Sequence, residues 1–107
     1  NFKFNVMAVY KNITSSGSAV TLIAKNGNDT GAIQKILISN NSANTATVRV
    51  YLGVDTSNTL DFYFIKNVEI PTATALVLSD NLRFDTSRFN LIIHNTGTGP
   101  DLTVMIK

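Results

Sequence analysis

Nucleophilic catalysis needs a nucleophile, a base and a group that orients the base, and this chain offers one histidine, His94, and no cysteine. His94 follows the apolar run Leu91-Ile92-Ile93 and precedes Asn95-Thr96-Gly97, so it reads as an edge or turn histidine. A carboxylate pair for glycoside hydrolysis could be drawn from Asp55, Asp61, Asp80, Asp85 and Asp101. All but Asp61 sit among turn residues, where Asp bends and caps the backbone, and Asp61 closes the loop before it. No pair stands out. Asn26-Gly27-Asn28-Asp29-Thr30 has the oxygen-rich composition of a calcium loop but lacks its alternating carboxylates and terminal glutamate. The absence of cysteine removes thiolate chemistry, disulfides and cysteine-ligated zinc. No catalytic, cofactor or metal site is expected, and the chain is read as a non-enzyme.

Binding chemistry leaves more to weigh. Tyr51 and Tyr63 fall outward on the strand phasing given below, which makes them candidate ligand-facing residues for a glycan. There is no tryptophan to strengthen such a platform. Three glycosylation-type triplets, Asn12-Ile13-Thr14, Asn28-Asp29-Thr30 and Asn40-Asn41-Ser42, are what chance supplies in a chain this rich in Asn, Ser and Thr. The net charge of +2 is spread over Lys3, Lys11, Lys25, Lys35, Lys66, Lys107, Arg49, Arg83 and Arg88. Nucleic-acid binding wants these cations in a stripe, so no nucleic-acid partner is expected. The apolar runs are strand-sized, far short of a spanning helix, and no secretory signal is visible; no membrane partner is expected.

The elements that would carry these residues are strands. Only 15% of the residues are charged, against a usual share of about 25%, while 44% are hydrophobic. Disorder and coiled coils need far more charge. Apolar residues alternate with polar ones almost throughout, broken by short Asn/Gly/Ser/Thr clusters, the pattern of an antiparallel sandwich or barrel. Extended segments are expected over Phe2–Tyr10, Ala19–Ala24, Ala32–Ser39 and Thr45–Leu52, with Val48, Val50 and Leu52 inward and Thr47, Arg49 and Tyr51 outward. Leu60–Lys66, a short Val68-Glu69-Ile70 stopped by Pro71, Leu76–Leu78, Leu82–Phe84, Phe89–His94 and Leu102–Ile106 follow. The expectation is one all-β domain over residues 1–107: a single antiparallel β-sandwich, jelly-roll or immunoglobulin-like, of about eight strands with no significant helix.

Two segments suggest contacts. Phe62-Tyr63-Phe64-Ile65 places four large apolar groups in a row, which calls for cover on both faces or for a partner. Phe2, Phe4, Val6 and Tyr10 form an apolar ridge in residues 1–10, an N-terminal arm or edge strand that could add to a neighbour's sheet. Met7-Ala8-Val9-Tyr10 reads as a natural start, which leaves residues 1–6 as a processed end, an upstream extension or an appended one.

The segments Met7-Ala8-Val9-Tyr10-Lys11-Asn12, Ile36-Leu37-Ile38-Ser39-Asn40 and Thr47-Val48-Arg49-Val50-Tyr51-Leu52 together resemble small virion structural proteins of tailed phages, especially the T4-like phages of marine cyanobacteria. Ile65-Lys66-Asn67-Val68-Glu69-Ile70-Pro71 followed by Leu76-Val77-Leu78 is similar to a further segment of those proteins, whereas Asp85-Thr86-Ser87-Arg88 departs from it. The resemblance implies a capsid decoration or cement protein, or else a neck or tail component; the alternative drawn from the residues is a receptor- or glycan-binding fibre module using Tyr51, Tyr63 and the loop at 95–100. The resemblance also implies a homo-oligomer, with copies of itself and major capsid or other virion proteins as partners. Its place would be the virion, assembled in the bacterial host cytoplasm. A low-charge surface with thinly guarded strand edges fits a protein that neighbours cover.

Overall fold

The computed structural model describes residues 9–54 and 62–107; the expected strand over Phe2–Tyr10 and the residues Phe2, Phe4, Val6, Asp55 and Asp61 lie wholly or partly outside them. Among the described residues eight strands form: β1 (Val9–Ile13), β2 (Ala19–Ile23), β3 (Ala32–Asn40), β4 (Ala46–Gly53), β5 (Phe62–Ile70), β6 (Ala75–Arg83), β7 (Asn90–Thr96) and β8 (Leu102–Ile106). They make two antiparallel four-stranded sheets, here sheet A in the order β1-β8-β3-β6 and sheet B in the order β2-β7-β4-β5.

That order has a simple origin. The chain pairs with itself as one long doubled ribbon: β4 with β5, β3 with β6, β2 with β7 and β1 with β8. Rolling the ribbon then adds two lateral pairings, β3 with β8 and β4 with β7. Eight strands rolled in this way are a jelly roll, and the immunoglobulin-like alternative is thereby set aside. The core lies between the sheets. Ile36, Ile38, Leu102 and Val104 from sheet A meet Val48, Val50, Leu91 and Ile93 from sheet B, all fully buried. β-branched residues dominate because a pleated surface accepts their stiff side chains at little entropic cost.

Register shifts explain where simple alternation breaks down. Two lie in β5, where Val48 and Val50 face Val68 and Ile65, and Val50 and Tyr51 face Ile65 and Tyr63. The first holds Asn67 at φ 54°, as a bulge with a left-handed residue requires. Together they turn both Phe64 and Ile65 onto the core. The apolar run therefore needs less outside cover than alternation implied, and Val68-Glu69-Ile70 continues β5 instead of forming a strand of its own. In β6, Ser79 and Leu82 face Lys35 and Ile33, so Asp80 and Asn81 stand at a bulge opposite Gln34. Asp80 is thus in a continuous strand, and the expected break between Leu78 and Leu82 does not occur. A fourth bulge, in β2, brings both Leu22 and Ile23 into the core.

One end of the sandwich carries a cluster of mutually hydrogen-bonded Asn and Ser residues. Asn40 is 1% exposed, and its amide donates to the carbonyls of Asn44 and Ile70 while its oxygen accepts from the Ser42 backbone N–H and hydroxyl. Thr72 donates to the Ser42 carbonyl, and Asn44 donates to that of Thr98. An amide so enclosed is no glycosylation acceptor in the folded chain. At the opposite end Asn90 accepts from the Lys25 N–H at 2.7 Å, tying β7 to the turn after β2.

Ala73, in the β5–β6 turn, sits at φ 60°, and its N–H donates to the Asn40 carbonyl at 3.0 Å. An L residue there costs about 1–2 kcal/mol, which glycine avoids at some expense in unfolded-chain entropy. Ala73→Gly is therefore expected to stabilise the fold by about 0.5 kcal/mol, read as a higher urea midpoint with an unchanged slope; a lower midpoint would contradict this.

Candidate interaction surface

The sandwich has two outer faces, and they differ. Across sheet B the outer row is Thr21, Ile92, Tyr51 and Tyr63, register partners on β2, β7, β4 and β5. Its centre is closed: Ile92 and Tyr51 are fully buried. The Arg49 guanidinium lies 5.9 Å from the centroid of the Tyr51 ring, and Tyr63 meets that ring edge-on at 6.1 Å. The ammonium of Lys66 stands 5.3 Å over the Tyr63 ring. Burial pushes the Tyr51 hydroxyl above its ordinary pKa, Arg49 pulls it back, and Tyr63 adds to the rise. Tyr51 thus points outward in phase, as its alternation requires, but presents no open ring to a ligand.

His94 belongs to this face and corrects its sequence reading. It lies within β7, an inner strand of sheet B, opposite Ala19 and Arg49, and is buried. Burial lowers its pKa, the neighbouring Arg49 lowers it further, and hydrogen bonding to the Gly17 backbone partly offsets both. The unfolded chain therefore takes up the proton first as pH falls. Stability is full above about pH 6.5 and declines below it until the native imidazole also protonates. Unfolding free energy is expected to drop between pH 7.5 and 5.5, and His94→Gln is expected to flatten that slope; parallel slopes in the two proteins would exclude His94 as the cause.

The outer face of sheet A is open. Its central row runs Tyr10, Met105, Leu37, Val77, register partners on β1, β8, β3 and β6. Tyr10 is 70% exposed, Val77 48% and Met105 37%. At about 4.8 Å per strand the row spans some 14 Å. On one side it is bounded by polar groups that satisfy each other: Ser39 donates to Asn41, Asn41 to Thr103, and Thr103 to Asn12, at 2.9–3.1 Å. On the other side stand Lys35 and Lys107, which with Tyr10, Leu37, Val77 and Met105 line a shallow apolar groove.

No protein-family model and no curated protein matches this chain.

The remaining contact candidates lie apart from this groove. Phe62 is 59% exposed at the sheet B edge, its ring meeting Phe89 edge-on at 5.6 Å, and Tyr63 is 36% exposed beside it. Phe64 packs against the core. The loop at 95–100 joins the Asn-rich end, where Asn44 holds Thr98, and is not brought to Tyr51 or Tyr63. Asp85 forms a self-contained turn, its carboxyl held below the usual range by hydrogen bonds from the Ser87 hydroxyl and N–H. Among the described residues no three of His, Asp and Glu gather as metal ligands would. Leu37, Val77 and Met105 were missed by the sequence reading. Their signal was present in it: each is apolar at the outward phase of its strand.

The strand edges also bear on how contacts form. Of the four edge strands, β2, β5 and β6 carry bulges, which twist an edge out of register with any added strand. The thinly guarded edges expected from composition are therefore blunted by geometry. β1, the fourth, pairs regularly with β8 of its own sheet over Val9–Ile13, so this part of the expected N-terminal arm belongs to its own domain.

Proposed function

We propose that this chain is a structural protein of a tailed-phage virion, a capsid decoration or cement protein that binds through the outer face of sheet A. The observation that carries the reading is the apolar row Tyr10–Met105–Leu37–Val77 crossing all four strands of that sheet, with Leu37 half-buried and the other three exposed. Monomeric proteins seldom leave contiguous apolar surface of this kind uncovered, and a face contact suits a sandwich whose edges are bulged. Such a role works by surface complementarity and asks for no acid–base constellation. Capsid and lectin domains both use the jelly roll, so the fold by analogy assigns neither; the phage role rests on the sequence resemblance. The glycan-binding reading loses support because the Tyr51 ring is buried and Lys66 lies over Tyr63. Copies of this chain and the major capsid protein are the partners in this reading.

Quantitative mass spectrometry of purified particles tests it. A copy number near that of the major capsid protein is expected for a decoration protein. About a dozen copies per particle would place the chain in the neck or tail, and its absence from particles would end the reading.

A further inference from the structure

Lys35 and Lys107 give the outer face of sheet A a sign as well as an apolar character. The Lys35 N–H donates to the Lys107 carbonyl at 3.1 Å and the Lys107 N–H to the Lys35 carbonyl at 2.9 Å. Two residues that exchange both backbone bonds stand directly opposite each other on neighbouring strands, with Cα atoms about 5.5 Å apart. Both side chains line the same groove. Like charges placed opposite in this way work against the fold. Among the described residues neither ammonium is paired with a carboxylate. The polar residues on the far side of the apolar row are already satisfied by one another.

We infer that the segment seated on this face is an acidic apolar stretch of protein, its apolar side chains covering Tyr10, Leu37, Val77 and Met105 and its carboxylates meeting Lys35 and Lys107. The inference rests on the reading of this face as a contact surface and adds the chemistry of what covers it. A second copy presenting the same face would bring two more lysines and no described carboxylate, which disfavours a face-to-face dimer. An anionic membrane is recognised by clusters of four to eight cations, and the groove supplies two. Nucleic acid wants a longer basic stripe.

The test uses two blocked heptapeptides, one alternating Glu with Leu and Phe, the other with Lys in place of Glu. Each is titrated into the methyl-labelled full chain at low salt. The acidic peptide is expected to shift the methyls of Leu37, Val77 and Met105 and to bind at least tenfold more tightly than the basic one. In the Lys35→Glu, Lys107→Glu double variant the preference is expected to reverse. Equal affinities, an unreversed preference, shifts confined to other surfaces, no binding, or tighter binding to anionic phospholipid vesicles would each overturn it. Absence of the chain from particles with the charge preference intact would remove the virion reading alone. Presence in particles without the preference would remove this inference alone.

Discussion

Asn40→Ala is expected to destabilise the protein by about 3 kcal/mol, the largest loss foreseen for any single polar side chain in the fold. The amide makes four hydrogen bonds, and it is 1% exposed. Alanine would leave the buried Ile70 carbonyl and Ser42 N–H without this partner, along with the partly buried carbonyl of Asn44. Each orphaned buried group costs about 1–3 kcal/mol, and the Ser42 hydroxyl, whose one proton can turn from the Asn40 oxygen to the Asn44 carbonyl, recovers part of the loss. For a domain of this size the change corresponds to a melting temperature lower by roughly 12–20 °C. Asn40→Asp is expected to do no better, since it deletes both donors and buries a charge. Ser42→Ala, which keeps the Asn40 amide in place, is expected to cost about 1 kcal/mol. Calorimetry on the three variants separates a hub from a set of independent bonds; equal, small shifts would show that Asn40 is no hub.

Leu37→Asp is expected to have the opposite profile, with little change in stability and a large loss of assembly. Leu37 stands at the middle of the open row, between Met105 and Val77, and faces away from the core. Charging it should leave the unfolding free energy within about 1 kcal/mol of the parent, as for most outward positions. A carboxylate at the centre of a dry contact costs several kcal/mol to desolvate, and it would compete with the neighbour's carboxylates for Lys35 and Lys107, which line the same groove. Incorporation into particles is therefore expected to fall at least tenfold. Glu69→Lys, on the outer face of sheet B, serves as the control and is expected to leave incorporation unchanged. Loss of incorporation in both variants, or in neither, would mean that the contact lies elsewhere.

Alternation made strands such as β3 and β8 legible because one face of each is buried, whereas β7 is buried on both. Leu102, Val104 and Ile106 against Thr103 and Met105 in β8 is a pattern that no other period fits. Bulges were not legible. Asp80-Asn81 has the composition of a turn, yet the ladder between β3 and β6 continues past it, because the pairing on both sides outweighs local preference. The same holds for Asn67, whose tolerance of positive φ serves a bulge within β5. His94 read as a turn residue because sequence places it near Asn95-Thr96-Gly97. Its burial follows from β7 lying between β2 and β4, which only the rolled topology decides. The phase of Tyr51 was readable, but the closing of its face was not.

The interaction surface had the same limit. Tyr10 was singled out from the N-terminal ridge, but its neighbours in space, Met105, Leu37 and Val77, come from β8, β3 and β6 and meet only through long-range pairing. A sequence shows that each is apolar on an outward phase. It does not show that four such residues form one row, nor that Lys35 and Lys107 border it.

The central claim is that sheet A contacts a neighbour through this face, and zero-length carbodiimide coupling within purified particles tests it most directly. The reagent joins ammonium to carboxylate only where the two already touch. Links from Lys35 and Lys107 to Asp or Glu of another particle protein are expected, with few from Lys25 or Lys66, which lie off the groove. Links from Lys25 or Lys66 with none from Lys35 and Lys107 would contradict it.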